Sequence, residues 1–242
     1  MTTETWSTIH SVYELSPTTF KKSSRPKEKY YAVKGGDAFY RTRHWKTERI
    51  LNEARALLLL AKTKIPVPKF IRCGDNDDGT MFLEMSREDG VELSEVGKAC
   101  HMSGTVGHNY VGECENCKAI AQANAKDFIQ TILLPELANL TSDTTGLDGF
   151  VIPPAWMLET DTRSKWEPVT FSDPVLIFIH GDLGPSNLLM DPKTLTVKCV
   201  IDWENSGYFH PEFQKWEVDM GRYYALYTER NIHLELASSI TL

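Results

Sequence analysis

The chain has 242 residues, of which 41% are hydrophobic and 24% charged, so it can bury the core of one large domain or of two smaller lobes. Its net charge of −7 argues against non-specific nucleic-acid binding and favours small cationic partners. No apolar run approaches the ~18 residues of a membrane span, and "MTTETWSTIHSV" lacks the basic and apolar regions of a secretory signal, so we expect neither membrane insertion nor secretion.

The first part of the sequence predicts a small antiparallel sheet with one helix. The aromatic-rich segment 29–43 predicts two strands joined by a turn of sequence "GGD". Residues 46–61 place apolar side chains at helical spacing among strong helix formers, so they predict a helix that ends before the prolines of "IPVP". An extended segment follows those prolines, and residues 79–85 predict a further strand.

The later part of the sequence predicts mainly helices. Residues 115–139 predict a long helix with a kink at Pro135, and residues 213–229 predict another helix whose aromatic side chains pack in the core. The short apolar segments "PVLIFIHGD" and "TVKCVIDWE" predict strands. Together these elements predict an α+β fold of two lobes, residues 1–88 and 89–242, joined by the polar hinge "MSREDG".

Two short motifs, "HGDLGPSN" and "IDWE", bring together the residue types that phosphoryl transfer needs. The protein must orient a nucleophile and hold cations against the phosphate oxygens. Asp182 on the tight loop is the candidate base, and His180 would brace that loop. Asn187 and Asp202 offer hard oxygen ligands of the kind that Mg²⁺ prefers. The sequence therefore predicts a kinase-type site.

This pattern resembles the kinase catalytic loop H-x-D-x-x-x-x-N followed by a metal-binding aspartate. Gly184 and the "IDWE" context are similar to the aminoglycoside phosphotransferase and choline kinase branch, and the helix followed by "IPVP" is similar to fungal members of that family. The resemblance, over about residues 29–224, implies a two-lobed protein kinase-like fold with a small amino-terminal antiparallel sheet plus helix and a mainly helical carboxy-terminal lobe. It also implies ATP and Mg²⁺ as cofactors, and transfer to a small-molecule hydroxyl or amino-alcohol acceptor.

The same resemblance implies residues for nucleotide binding. Glu53 would be the helix glutamate that pairs with a basic residue on the phosphates. Lys34 suits that basic role by residue type, and Arg41 and Arg43 suit it by their position on the strand that enters the helix. We prefer Arg41 by topology, since Arg can also hold a phosphate, in a bidentate manner. The backbone that meets adenine at the hinge would belong to Met85, Ser86 and Arg87.

The sequence departs from the family pattern at both ends. It has no glycine before Gly35, so a glycine-rich loop over the phosphates is not expected, and it ends at Leu242, before the helices that often build the acceptor pocket in family members. A pseudokinase or nucleotide-binding scaffold that acts through protein partners therefore stays open as an alternative. A protein kinase is disfavoured by Gly184 and by the lack of an Ala-Pro-Glu segment after Asp202.

The cysteines raise a separate question. Their number, five, is odd and indicates free thiols in a reducing compartment, which predicts a cytoplasmic protein. Cys100, His108, Cys114 and Cys117 offer the four ligands of a structural zinc site, which alone would make the chain a zinc-stabilised interaction module. The alternative is that Cys117 packs in the core at the start of a helix, and the presence of only one close cysteine pair favours that interpretation.

Overall fold

The structure is a computed structural model that describes residues 3–8, 11–25, 45–108, 111–159, 163, 165–172 and 176–229. These residues form an antiparallel sheet and a helix, followed by further helices and two smaller sheets, so the fold is α+β as predicted. None of the helices in the described ranges is long and apolar enough to cross a membrane.

The amino-terminal sheet has five strands within the described residues, all antiparallel to their neighbours. The last strand in sequence alternates in burial, and its inward side chains, Leu83 and Met85, join the core. The predicted hairpin at 29–43 lies outside the described residues. The strands are β1 (Glu4–Ser7), β2 (Ser11–Leu15), β3 (Thr19–Ser24), β4 (Phe70–Asp75) and β5 (Met81–Ser86), in the spatial order β1-β2-β3-β5-β4.

Helix α1 (Lys46–Leu60) packs on this sheet and confirms the predicted helix. Ile50, Ala54 and Leu57 recur at intervals of four and three residues, and all three are buried. The predictions of an extended segment after the helix and of a strand near residues 79–85 are likewise confirmed, by β4 and β5. Because α1 also packs against the turn at residues 203–205, polar residues on its buried face can reach the functional site.

The long helix predicted at 115–139 is present but interrupted. Because Pro135 lacks an N–H, it cannot bond to the carbonyl four residues back, and the helix widens before it. In the widened turn the N–H of Leu134 donates to the carbonyl of Ile129, five residues away. The segments are α2 (Glu115–Phe128), a π-helical turn (Ile129–Leu133) and α3 (Leu134–Ala138).

The prediction of a helix over 213–229 was too long. Only α4 (Met220–Leu226) is helical in the regular sense, and the carboxylate of Asp219 caps it by accepting the N–H of Arg222 at 3.0 Å. The preceding residues run extended, because Trp216 forms a parallel bridge with Leu183 of the "HGDLGPSN" loop. Pairing with this loop therefore overrides the helical spacing of the aromatic residues.

Two small sheets hold the two sequence motifs, and both predicted strands are confirmed. The strands are β6 (Val91–Glu92), β7 (Thr141–Ser142), β8 (Leu176–Ile179), β9 (Leu188–Met190), β10 (Val197–Val200) and β11 (Gly207–Phe209). Within the described residues one sheet has the order β10-β9-β6 and the other β11-β8-β7. Strand β8 ends immediately before His180 and β10 ends two residues before Asp202, so the sheets bring the motifs side by side.

Candidate active site

The side chain of His180 joins the two motifs. It is wholly buried, its Nε2 donates to the carbonyl of Ile201 at 3.0 Å, and its Nδ1 accepts the backbone N–H of Asp182 at 3.2 Å. Burial lowers the pKa of His180 to about 4, so the imidazole is neutral and one nitrogen donates while the other accepts. His180 thus ties the loop that carries Asp182 to the residue before Asp202, a bracing contact rather than a chemical one.

Gly181 permits the tight approach of this loop to the turn after β10. Its φ is +77°, in the left-handed region, and a Cβ at this position would lie 2.1 Å from the carbonyl oxygen of Asn205. No other residue fits there without displacing backbone. The glycine of "HGD" is therefore required by packing between the two motifs.

Asn187 contacts Asp182 through its amide nitrogen. The Nδ2 atom donates to the carbonyl oxygen of Asp182 at 2.6 Å and to its Oδ2 at 3.3 Å. This leaves the other end of the planar amide, its oxygen, as the atom suited to a metal ion. The five-residue spacing between Asp182 and Asn187 is thus explained by a closed turn that orients both side chains.

The Oδ1 atom of Asp182 accepts hydrogen bonds from two tyrosine hydroxyls near the end of the described chain. Tyr223 donates a short hydrogen bond to Oδ1, and Tyr227 donates to the same oxygen at 3.0 Å. Burial raises the pKa of Asp182 to about 6, with the nearby Asp202 acting in the same direction and the tyrosine hydrogen bonds opposing it. Sequence analysis placed these tyrosines in the core and missed their contact with the candidate base.

Lys22 of β3 lies at the centre of the second motif. Its Nζ is 2.8 Å from Glu53 of α1, 2.6 Å from Asp202 and 2.8 Å from Glu204. Burial lowers the pKa of Lys22, but the three carboxylates outweigh that effect and hold the pKa well above its usual value. Lys22 is therefore charged, and it is the basic partner of Glu53 that the sequence analysis sought elsewhere.

The residues considered for that role, Lys34, Arg41 and Arg43, lie outside the described residues. Sequence analysis did not single out Lys22, because it precedes the segment where the family resemblance begins. The available signal was the run "TFKKSS", in which strand alternation turns one of two adjacent lysines inward. That signal needs the register of β3, which the sequence alone does not fix.

Asp202 adopts an uncommon backbone conformation. Its φ of 62° and ψ of 58° lie in the left-handed region, which aspartate tolerates better than most residues. Its side chain is 35% exposed, whereas those of Glu53 and Glu204 are 3% and 4% exposed. Of the three carboxylates around Lys22, Asp202 is therefore the one that faces the open space.

A buried polar network fixes α1 to the turn after Asp202. Arg49 donates to Glu204 at 3.2 Å and to Asn205 at 2.6 Å, while Asn52 donates to the backbone carbonyls of Glu204 at 3.1 Å and Ser206 at 2.7 Å. Arg49 and Asn52 are 2% and 0% exposed. The helix that carries Glu53 is thus positioned by hydrogen bonds as well as by apolar packing.

A cavity of about 520 Å³ lies between the amino-terminal sheet and the two motifs. Lys22, Glu53, Asn187 and Asp202 line it, and so do the three residues predicted to meet adenine, Met85, Ser86 and Arg87. The N–H of Ser86 donates to Lys69 and that of Arg87 to Thr18, so these two hinge donors are already engaged. The aromatic and apolar lining includes Trp6, Tyr13, Leu15, Phe20, Pro68, Met85, Leu189 and Ile201.

Thr8, which follows β1, and Ser11, the first residue of β2, are hydrogen-bonded to each other, and neither residues 3–8 nor residues 11–25 contain a glycine. The N–H of Thr8 donates to the carbonyl of Ser11 at 2.9 Å, and the N–H of Ser11 donates to the Thr8 hydroxyl at 3.2 Å. Thr8 also lines the cavity. A threonine hydroxyl at the edge of the cavity therefore helps to hold the end of β1 next to the start of β2.

Comparisons with known proteins show the family and the fold of the chain. The family model of the phosphotransferase enzyme family matches residues 31–213, and no curated protein sequence matches. An aminoglycoside 2'-phosphotransferase-IIIa mutant solved with GDP is 13% identical with a TM-score of 0.51, and the match covers 98% of this chain and 83% of that one. A thermostable mutant of aminoglycoside phosphotransferase APH(4)-Ia, solved with AMP-PNP and hygromycin B, is 12% identical with a TM-score of 0.51, over 98% of this chain and 88% of that one. The chain therefore belongs to the phosphotransferase enzyme family and has its two-lobed, protein kinase-like fold.

Proposed function

We propose that the protein is an ATP- and Mg²⁺-dependent phosphotransferase that moves the γ-phosphoryl group of ATP to a hydroxyl of a small molecule. The observation that supports this best is that Lys22, Asn187 and Asp202 line one cavity next to the loop of Asp182. We place this cavity between an amino-terminal lobe, residues 1–88, and a carboxy-terminal lobe, residues 89–242. None of the five cysteines of the protein forms a disulfide bond, which fits a reducing, cytoplasmic setting.

The donor atoms fit a magnesium ion. Asp202 and Asn187 would hold it, since a carboxylate and an amide oxygen are hard ligands and both side chains line the cavity. When bound, the ion neutralises charge on the phosphate oxygens. The exposure of Asp202, at 35% of its side chain, leaves it accessible for that role.

Lys22 has to exchange one partner to bind a phosphate. A lysine ammonium has three donors, and Glu53, Asp202 and Glu204 engage all three. Asp202 is the exposed partner and the proposed metal ligand, so it is the one that turns away when nucleotide enters. Lys22 then donates to a phosphate oxygen while the two buried carboxylates keep it in place.

The apolar part of the cavity would hold the adenine ring. Leu15 and Phe20 come from the sheet side, and Leu189 and Ile201 come from the motif side. Because the N–H groups of Ser86 and Arg87 already donate within the protein, the backbone donor for the base has to come from beyond them. Glu88, which also lines the cavity, is the residue placed to provide it.

Asp182 would accept the proton of the acceptor hydroxyl. The acceptor oxygen attacks the γ-phosphorus, the bond to the ADP oxygen breaks, and the acceptor proton moves to the carboxylate. An acceptor that donates to Oδ1 has to replace Tyr223 and Tyr227 there, whereas Oδ2 carries only the 3.3 Å contact from Asn187. The net charge of −7 favours an acceptor that carries an amine as well as a hydroxyl, such as an amino alcohol.

The test separates the two aspartates. We expect Asp182→Asn to bind Mg-ATP like the wild type in calorimetry. Its rate of phosphoryl transfer should fall by a factor of about 10²–10⁴, as for removal of a general base. The rate is measured as ADP release in a screen of amino alcohols, sugars and aminoglycosides. We expect Asp202→Ala to lose Mg²⁺-dependent binding. Asp127→Asn, on the exposed face of α2, is the matched control and should change neither. Equal Mg-ATP affinity of the wild type and Asp202→Ala would refute the metal assignment.

One observation favours a second candidate, a pseudokinase or nucleotide-binding scaffold that acts through protein partners. Tyr223 and Tyr227 both donate to Oδ1 of Asp182, one of the two oxygens that an acceptor could use. If they stay there when Mg-ATP is bound, nucleotide would raise the melting temperature without turnover. A thermal shift with Mg-ATP, combined with no ADP release from any acceptor in the screen, would support this alternative over the enzyme.

A further inference from the structure

A second cluster of reactive side chains lies away from the nucleotide cavity, where the chain enters α2. Cys114 is the residue before the helix and is buried, and Cys117 is buried in its first turn. Cys100 and His108 come from the preceding segment. One ligand atom from each of the four residues lies within 4.8 Å of the others. None of the four is among the described residues that line the 520 Å³ cavity.

The distances match a tetrahedron around a metal ion. The Nδ1 atom of His108 is 3.3 Å from the sulfur of Cys117, 3.5 Å from that of Cys114 and 4.0 Å from that of Cys100, and the sulfurs of Cys100 and Cys117 are 4.0 Å apart. For tetrahedral Zn²⁺ with bonds of about 2.3 Å to sulfur and about 2.0 Å to nitrogen, neighbouring sulfurs lie about 3.8 Å apart, and sulfur and nitrogen about 3.5 Å apart. The cluster has the size that a zinc ion at its centre requires.

Hydrogen bonds and disulfides do not explain this arrangement. A neutral imidazole has one proton and one lone pair on its two nitrogens, so Nδ1 of His108 cannot bond to three thiols at once. A sulfur separation of 4.0 Å is about twice that of a disulfide, and none of these cysteines forms a disulfide bond. Core packing accounts for Cys117 but not for a histidine nitrogen among three sulfurs. A central cation satisfies all four groups together.

The segment that supplies two of the ligands has little else to order it. Residues 98–108, all of which the structure describes, contain no helix, no strand and no fully buried residue, and Val106 is 99% exposed. Two hydrogen bonds fix its ends: the N–H of Cys114 donates to the carbonyl of Gly97 at 2.8 Å, and the side-chain amide of Asn116 donates to the carbonyl of Gly107. A segment without a core of its own is the kind that a structural metal cross-links.

We propose that Cys100, His108, Cys114 and Cys117 bind one Zn²⁺ ion in a closed structural site. Three thiols lose their protons to solvent on binding, and neutral His108 coordinates through Nδ1. With four protein ligands, no position remains for water or substrate, so the ion is structural rather than catalytic. It fixes the segment 98–108 to the start of α2, whose residues Gln122 and Asn124 contact Val218 and Leu195 of the site-bearing region.

The test is metal content, measured by plasma mass spectrometry on protein purified without a histidine tag. We expect about one zinc per chain in the wild type, and a loss of most of it in Cys100→Ser and His108→Ala. Two variants, His101→Ala and Cys73→Ser, are matched controls, because they remove a neighbouring histidine and another half-buried cysteine that lie outside the cluster. Both should keep the zinc. His108→Cys, which replaces the histidine ligand by a thiolate ligand, should retain the zinc as well.

Cobalt substitution tests the geometry independently of any variant. Wild-type protein refolded with Co²⁺ should show the visible absorption of tetrahedral cobalt and thiolate-to-metal charge transfer, which Zn²⁺ then abolishes. Wild-type protein that holds no zinc and gives no such spectrum would overturn the proposal, even if the variants fail to fold. Zinc that persists in both Cys100→Ser and His108→Ala would overturn it too. Neither result depends on phosphotransferase activity.

Discussion

The hydroxyl of Tyr223 donates to Oδ1 of Asp182, one of the two carboxylate oxygens of the proposed base. The tyrosine comes from α4, near the end of the described chain, and the hydroxyl of Tyr227 reaches the same oxygen at 3.0 Å. Two hydroxyls of the protein itself thus donate to the carboxylate proposed as the base. Under the proposed function, an acceptor hydroxyl that binds at Oδ1 would compete with them.

Removing those hydroxyls should expose the base. A hydrogen bond to a charged group contributes about 1.5–3 kcal/mol, so we expect acceptor-free hydrolysis of Mg-ATP to rise about tenfold or more in the double variant Tyr223→Phe, Tyr227→Phe. The measurement is steady-state ADP release without acceptor. Tyr224→Phe is the control, since its ring is 62% exposed, and it should hydrolyse ATP like the wild type. A double variant as slow as Asp182→Asn would show instead that the tyrosines assist the reaction.

Lys22 should matter for both stability and nucleotide binding. Lys22→Met leaves Glu53 buried without its cation, which typically costs about 3–5 kcal/mol, and it removes the donor proposed for the phosphate. We expect a lower midpoint in urea unfolding and weaker Mg-ATP binding in calorimetry. Lys21→Met removes a partly exposed pair with Glu14 and a cation–π contact with Phe82, and it should cost no more than about 2 kcal/mol. Equal unfolding midpoints for the two variants would contradict the central role of Lys22.

The buried imidazole of His180 should give the protein an acid-sensitive stability. Its pKa in the folded state is about 4, below the 6.5 of the unfolded chain, so the unfolded state binds a proton first as the pH falls. The stability from neutral His180 is complete above about pH 6.5 and is lost toward pH 4, by roughly 3 kcal/mol in all. His180→Gln should therefore show a flatter dependence of unfolding free energy on pH between 7 and 4. Parallel curves for the two proteins would contradict a buried neutral histidine.

Alanine substitutions at Gly181 and Gly79 can distinguish the cost of backbone strain from the cost of a steric clash. Their φ values are +77° and +76°, but a Cβ at Gly181 would lie 2.1 Å from the carbonyl oxygen of Asn205, whereas one at Gly79 would have no neighbour within 4 Å. Gly79→Ala should cost only the left-handed conformation, about 1–2 kcal/mol. Gly181→Ala must also move backbone and should be clearly less stable in urea unfolding. Similar losses for both would mean that the close approach is unimportant.

Much of the site follows from local sequence because its residues are close in the chain. The spacing of Asp182, Asn187 and Asp202 sufficed to place them together, since a tight loop and a strand end define their separation. The helix with Glu53 could also be predicted, because its apolar periodicity is strong. The π-helical turn before Pro135 follows from the missing N–H, although only the kink was predicted.

What the sequence could not provide depends on long-range pairing. Lys22 is 180 residues from Asp202, and whether it or Lys21 faces inward depends on the register of β3. The contact of Tyr223 with Asp182 was hidden by a helical pattern that the bridge of Trp216 to Leu183 interrupts. The sequence does name Cys100, His108, Cys114 and Cys117 as candidate ligands, but their convergence depends on a folded loop that no periodicity encodes.

The attachment of α1 has a consequence for control of the protein. In kinases the corresponding helix is moved to make or break the lysine–glutamate pair, and this displacement switches activity. Here the same movement would pull Arg49 and Asn52 from buried partners on Glu204 and Ser206, at about 1–3 kcal/mol for each group left unsatisfied. We therefore expect this half of the machinery to be permanently assembled, so that turnover responds to the supply of small molecules rather than to signals acting on the helix.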